Sequence, residues 1–192
     1  MKNYFIIHGS FGNNHENWFG WLESKLQGNG FDVYNFNYPT PNGQNFENWS
    51  KVLDRVKNKI STESTFICHS IAPIFVIKYC LKNNIKIGKL VSVSGANNFK
   101  TGNPEFDEIN KTMFVDDVKN FKNLCPDRIC IYAKDDPYIP LVKLQDFAKQ
   151  IDAQKIVYEK AGHFNENAGY TKFEDLLKLI LEYKNSTSKH KK

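Results

Sequence analysis

Three polar side-chain types capable of joint chemistry stand where apolar runs end. Ser70 closes the run STFICHS, Asp135 and Asp136 follow RICIYAK, and His163 follows KIVYEKAG. A serine hydroxyl becomes a nucleophile only beside a base, and the base needs a group to orient it. Histidine suits the base because its ordinary pKa near 6.5 lets it take and return a proton at neutral pH. A carboxylate bonded to the far ring nitrogen fixes the tautomer and stabilises the imidazolium. Each residue also has a plainer reading, since serines cap helices and Asp-Asp-Pro makes turns. Three suitable types at three strand ends favour the shared chemistry.

The flanks of Ser70 sharpen this. Cys68-His69-Ser70-Ile71-Ala72 follows the pattern small-x-Ser-x-small of a tight strand-to-helix turn, in which bulky residues two before or after the serine would strike neighbouring backbone. Glycine usually fills both places, so Cys and Ala make a degraded match. Pro73 falls in the first helical turn, where its missing N–H removes no intrahelical bond. Cys68 itself points into the sheet and reads as an inert thiol.

The elements that must position these residues alternate along the chain. Strand-like runs fall at 4–8, 31–38, 64–69, 87–95, 128–133 and 155–161; helical spacing marks 17–27, 46–60, 72–84, 141–151 and 170–184, with a short helix near 115–123. No hairpin signal joins successive strands. The expectation is a three-layer α/β/α sandwich around a six-stranded parallel sheet. With strand order 2-1-3-4-5-6, the first and third strands are neighbours whose connections leave in opposite directions, and their loops meet at the carboxyl edge. The loop HGSFGN after the first strand then supplies one oxyanion donor, the N–H of Ser10 or Phe11, and the N–H of Ile71 the other. GSFG is not followed by the GK[ST] of a phosphate loop. His8 is expected to be structural. The irregular stretch from Ala96 to Phe114, with Asn97, Phe99, Phe106 and Met113, is a candidate flap. Trp18 and Trp21, at helical spacing, read as core more than as pocket lining.

Composition bounds what else the chain can be. At 192 residues it suits one domain, expected over 1–184. The net charge of +5 is concentrated in KNSTSKHKK, which holds four lysines and no acid; residues 185–192 read as a basic, disordered tail. The remaining body is near neutral and offers no nucleic-acid footprint. No run approaches the ~18 apolar residues of a membrane span. The start MKNYFIIHGS lacks a signal-peptide h-region, so a cytoplasmic location is expected. Cys68, Cys80, Cys125 and Cys130 include no CxxC pair, which favours free thiols over zinc.

Together HGSFGNNHENWFGWLESKL, PTP followed by FENW, CHSIA, DDPYIP and AGHF resemble the small α/β-hydrolases related to retinoblastoma-binding protein 9 and the bacterial YdeN-like serine hydrolases. The resemblance covers about residues 3 to 183. It implies a compact α/β-hydrolase fold without a large cap domain and a triad of Ser70, Asp136 and His163; Asp136 is preferred over Asp135 because the family's aspartate immediately precedes the proline. It further implies cleavage of an ester, thioester or amide of a small-molecule or acyl substrate, with no metal or organic cofactor. The LxCxE motif of the mammalian relative is absent, so no retinoblastoma partnership is carried over. The alternative is a hydrolase fold serving as a binding module, should Cys68 and Ala72 prevent the strained turn.

Overall fold

The computed structural model describes residues 2–187. Six strands, β1 (Asn3–Ile7), β2 (Asp32–Asn35), β3 (Thr65–His69), β4 (Lys89–Val93), β5 (Asp127–Ala133) and β6 (Gln154–Tyr158), form one sheet in the order β2-β1-β3-β4-β5-β6. Every pairing is parallel. The central strands β1, β3 and β4 are buried along their whole length, which explains why they read as continuous apolar runs rather than alternating ones.

Alternate residues of each strand feed two cores. Phe5, Ile7, Phe66 and Cys68 face one side, where they meet α2 (Phe46–Asp54), α3 (Ala72–Asn83) and α5 (Leu141–Gln150) through residues such as Trp49, Phe75 and Phe147. Tyr4, Ile6, Ile67 and Val91 face the other, against α1 (Phe19–Gly28) and α6 (Glu174–Thr187) through Phe19, Leu22 and Leu176. The result is the expected three-layer architecture, with an open sheet. Trp18 and Trp21 belong to the second core: Trp18 is fully buried and donates from Nε1 to the Phe164 carbonyl, and Trp21 packs alongside.

Several boundaries differ from the sequence reading for identifiable reasons. Strand β2 stops at Asn35 because Asn14 takes over its next polar partners: Asn14 Nδ2 donates to the Asn35 carbonyl and Asn35 Nδ2 to the Asn14 carbonyl, both at 2.9 Å. The helix expected over 46–60 ends at Asp54 and resumes as a 3-10 turn over Lys57–Lys59, with Val56 between them at φ −126°. The short helix near 115–123 is a 3-10 turn over Lys119–Asn123. A helix that periodicity does not show, α4 (Pro104–Asn110), begins where the Asn103 side chain accepts from the N–H groups of Glu105 and Phe106. Of the expected tail, residues 185–187 belong to α6, and 188–192 lie outside the described residues. The connection from β4 to β5 carries α4 and one 3-10 turn, so no large cap covers the sheet among the described residues.

Candidate active site

The elbow forms despite its imperfect flanks. Ser70 adopts φ 59°, a left-handed backbone that L-residues enter at a cost, and its N–H is held by the Val93 carbonyl at 2.9 Å. Cys68 and Ala72 are both fully buried, so the positions that usually hold glycine are packed rather than clashing. Burial also pushes the Cys68 thiol far above its ordinary range, which removes it as a nucleophile. The tightness falls instead on Gly9: a Cβ there would stand 2.8 Å from Ser70 Cβ and 3.4 Å from its Oγ. Only glycine lets the loop after β1 run this close to the serine.

The loops after β5 and β6 bring together the other two side chains. His163 Nδ1 lies 2.8 Å from Asp136 Oδ2, and the Asp136 side chain is 1% exposed. The remaining oxygen, Oδ1, accepts from the N–H groups of Tyr138 and Ile139 at 2.9 and 3.0 Å. Burial pushes this carboxyl up, but His163 and the two backbone donors outweigh it and leave it below the usual range, so it is ionised at neutral pH. Its acceptor oxygen requires the hydrogen on His163 Nδ1, which leaves Nε2 with a free lone pair. Ser70 and His163 line the same cleft, a cavity of about 670 Å³. Among the described residues no hydrogen bond joins the Ser70 hydroxyl to the His163 ring; catalytic bonds of this kind are often long without substrate and tighten when it binds.

The adjacent Asp135 has a different task. Its Oδ1 accepts from the N–H groups of Ala161 and Gly162, each at 2.9 Å, and these bonds hold its pKa down. It therefore pins the loop that carries His163. His69 pins the same loop from beneath, with Nε2 2.7 Å from the His163 carbonyl oxygen. A carbonyl can only accept, so His69 Nε2 carries the hydrogen. Neither role is visible in the sequence, because both depend on partners 26 or more residues away.

Of the oxyanion candidates, Ser10 and Ile71 have backbone N–H groups without a bond partner among the described residues. Phe11 departs from the expectation. Its N–H is already bound to Thr40 Oγ1 at 2.7 Å. The same loop is braced by a buried polar network: Thr40 donates to Gln44 Oε1, Gln44 Nε2 donates to Ser10 Oγ and Asn110 Oδ1, and Ser10 Oγ donates to Asn110 Oδ1. His8 sits under this loop as a structural group, accepting from the Tyr38 N–H at Nε2 and donating from Nδ1 to the Gly9 carbonyl. The candidate flap is mostly core. Met113 is fully buried, Phe99 is 6% exposed, and Asn97 exchanges bonds with the Val115 backbone; of the four named residues Phe106 alone lines the cavity.

Residues 4–182 match the serine hydrolase family. The chain belongs to that family. This serine hydrolase is 26% identical over 184 residues to a protein of Bacillus subtilis (strain 168) named "Putative hydrolase YdeN", covering 95% of this chain and 96% of that one. The crystal structure of the B. subtilis ydeN gene product superposes with a TM-score of 0.87 at 24% identity, over 96% of this chain and 100% of the other. The meta-cleavage product hydrolase of Pseudomonas fluorescens IP01 gives a TM-score of 0.70 at 14% identity, over 97% and 92% of the two chains. These likenesses identify the three-layer architecture as the α/β-hydrolase fold. Among the described residues, no helix is long and apolar enough to cross a membrane, and no group of three or more His, Cys, Asp or Glu side chains is arranged to hold a metal ion.

Proposed function

We propose that this serine hydrolase cleaves a carboxylic ester, thioester or amide through an acyl-enzyme formed on Ser70, with His163 as base and acid and Asp136 as the orienting carboxylate. The observation that carries the reading is the buried Asp136–His163 bond of 2.8 Å beside a serine held at φ 59° in the same cleft. Ser70 Oγ attacks the substrate carbonyl carbon while His163 Nε2 takes its proton. The carbonyl oxygen, now an anion, is stabilised by the N–H groups of Ser10 and Ile71. The bond to the leaving group then breaks, and His163 returns the proton to that group. Water repeats the sequence on the acyl-enzyme, and the carboxylic acid departs.

No step calls for a metal or organic cofactor. The reading treats residues 1–184 as one hydrolase domain and takes the cytoplasm as its compartment; four buried, unpaired cysteines support a reducing environment. The test is intact-mass labelling with a fluorophosphonate on wild type, Ser70→Ala and His163→Ala. A single adduct on wild type that disappears in Ser70→Ala and falls steeply in His163→Ala is expected. A folded wild-type protein that stays unlabelled, or an adduct that survives Ser70→Ala, refutes the assignment.

A further inference from the structure

The cleft around Ser70 is lined by two unlike groups of side chains, and the direction of the proposed reaction assigns one to each half of the substrate. This inference rests on the triad reading above. His163 must hand its proton to the leaving group, so that group departs along the wall carrying His163. Asn165, Glu166 and Asn167 follow on the same loop and line the cavity. Asn17 links this loop to Glu16: its N–H donates to Glu166 Oε1 at 2.7 Å, while its side-chain oxygen accepts from the Glu166 N–H at 2.8 Å. Glu16 lines the same cavity, and burial, together with Glu166, raises its pKa. No lysine or arginine is among the residues lining the cavity. Two carboxylates, Glu16 and Glu166, and three amides, Asn17, Asn165 and Asn167, thus line the cleft, as does Tyr138, whose ring centroid is 5.1 Å from that of His163.

The oxyanion donors stand on other segments of the same cleft. Phe11 follows Ser10 and lines the cavity together with Phe106. Phe11 is 47% exposed, and its ring lies against that of Phe106, with centroids 6.1 Å apart and planes 25° from parallel. Phe11 also holds φ 59°, a backbone outlier for a bulky residue, secured by its bond to Thr40. A strained backbone that turns a large aromatic ring outward at the edge of a reactive cleft is a feature maintained against its own cost.

We propose that the substrate joins an apolar acyl chain, laid on Phe11 and Phe106, to a polar leaving group that is neutral or cationic and departs past Glu166 and Glu16. In acylation the bond from Ser70 Oγ to the acyl carbon forms, the acyl–oxygen bond of the ester breaks, and the serine proton leaves on the alcohol through His163. Polyanionic leaving groups are disfavoured by the two carboxylates, an effect that added salt weakens.

The test uses six esters with the full chain: acetyl and hexanoyl esters of choline, of its uncharged isostere 3,3-dimethylbutanol, and of 2-hydroxyethanesulfonate, with Ser70→Ala as background. At low ionic strength the sulfonate esters are expected to fall at least tenfold below the choline esters in kcat/KM, and hexanoyl to exceed acetyl by a similar factor. Glu166→Gln, which keeps the acceptor for the Asn17 N–H, should shrink the charge discrimination, and Phe11→Ala or Phe106→Ala the chain preference. Ser70-dependent turnover with equal rates for sulfonate and choline esters overturns the inference and leaves the triad standing. So does a chain preference that survives both Phe variants. Absence of Ser70-dependent turnover on all six esters overturns the inference alone where Ser70 still takes the fluorophosphonate, and the triad reading as well where it does not.

Discussion

His69 offers a quantitative check on the site, because its protonation is linked to folding. It is 4% exposed, donates from Nε2 to the His163 carbonyl, and sits with its ring centroid 4.7 Å from that of His163. Burial, reinforced by the nearby His163, depresses its pKa to about 3, against 6.5 for the ordinary side chain. The sign is the reverse of a histidine paired with a carboxylate. Between these two values the unfolded chain binds a proton that the folded protein refuses, so stability is complete above pH 6.5 and declines as pH falls toward 3. At about 1.4 kcal/mol per pH unit, the loss from about pH 8 to about pH 4.5 is roughly 2.5 kcal/mol. Burial depresses His8 in the same direction, whereas Asp135 and Asp136, held below their usual values, lose their contribution only below about 3.8. Urea unfolding of wild type and His69→Gln across this range isolates the residue, since titrations of groups that do not interact with His69 cancel in the difference. Glutamine keeps an N–H donor and cannot titrate, so the wild type should lose about 2.5 kcal/mol relative to the variant as the pH falls. A difference that stays constant with pH would mean that His69 is protonated in the folded protein or that its ring is solvated, and would refute the reasoning.

The remaining predictions concern strain and packing. Ser70→Gly relieves the left-handed backbone and should raise stability by about 1 kcal/mol, read as a higher urea midpoint, while abolishing fluorophosphonate labelling. Asn110→Leu leaves Gln44 Nε2 and Ser10 Oγ without their shared acceptor; a loss of roughly 1–3 kcal/mol is expected, together with slower labelling of Ser70, because the loop bearing the Ser10 donor loses its brace. Gly95→Ala drives a methyl to within 2.9 Å of Pro73 Cγ and 3.0 Å of Phe147 Cε1, and should lower the thermal midpoint by an amount corresponding to about 1–3 kcal/mol.

What was legible in the sequence is where strand ends place their residues. Ser70, Asp136 and His163 each follow a strand, and in a parallel sheet every such strand end lies at one edge, so strand prediction alone brings them to one rim. The same logic located Ser10, Phe11 and Ile71 at that rim without deciding which N–H is available, since the Phe11 amide is claimed by Thr40, a residue 29 positions away. Helix α4 escaped periodicity because its seven residues bury Asn110 alone; the Asn103-Pro104 cap was its only local mark.

What the sequence conceals is the division of labour between like residues. Asp135 and Asp136 are neighbours of identical chemistry, yet one binds two backbone N–H groups of the following loop and the other the histidine itself. His69 and His163 are 94 positions apart, and the first holds the carbonyl of the second. Local composition offers no means of separating them, because the distinction arises only when β3, β5 and β6 bring their ends together. The result is a histidine fixed at three points: through its ring by Asp136, through its carbonyl by His69, and through the preceding N–H groups by Asp135. Loosening the ring contact should free the orientation and tautomer of the His163 ring, whereas loosening either backbone contact should change chiefly the position of its loop. On this reasoning labelling of Ser70 falls most steeply in Asp136→Asn, and less in Asp135→Asn and His69→Gln. A loss of similar size in all three variants would show that the loop and the ring are not held independently.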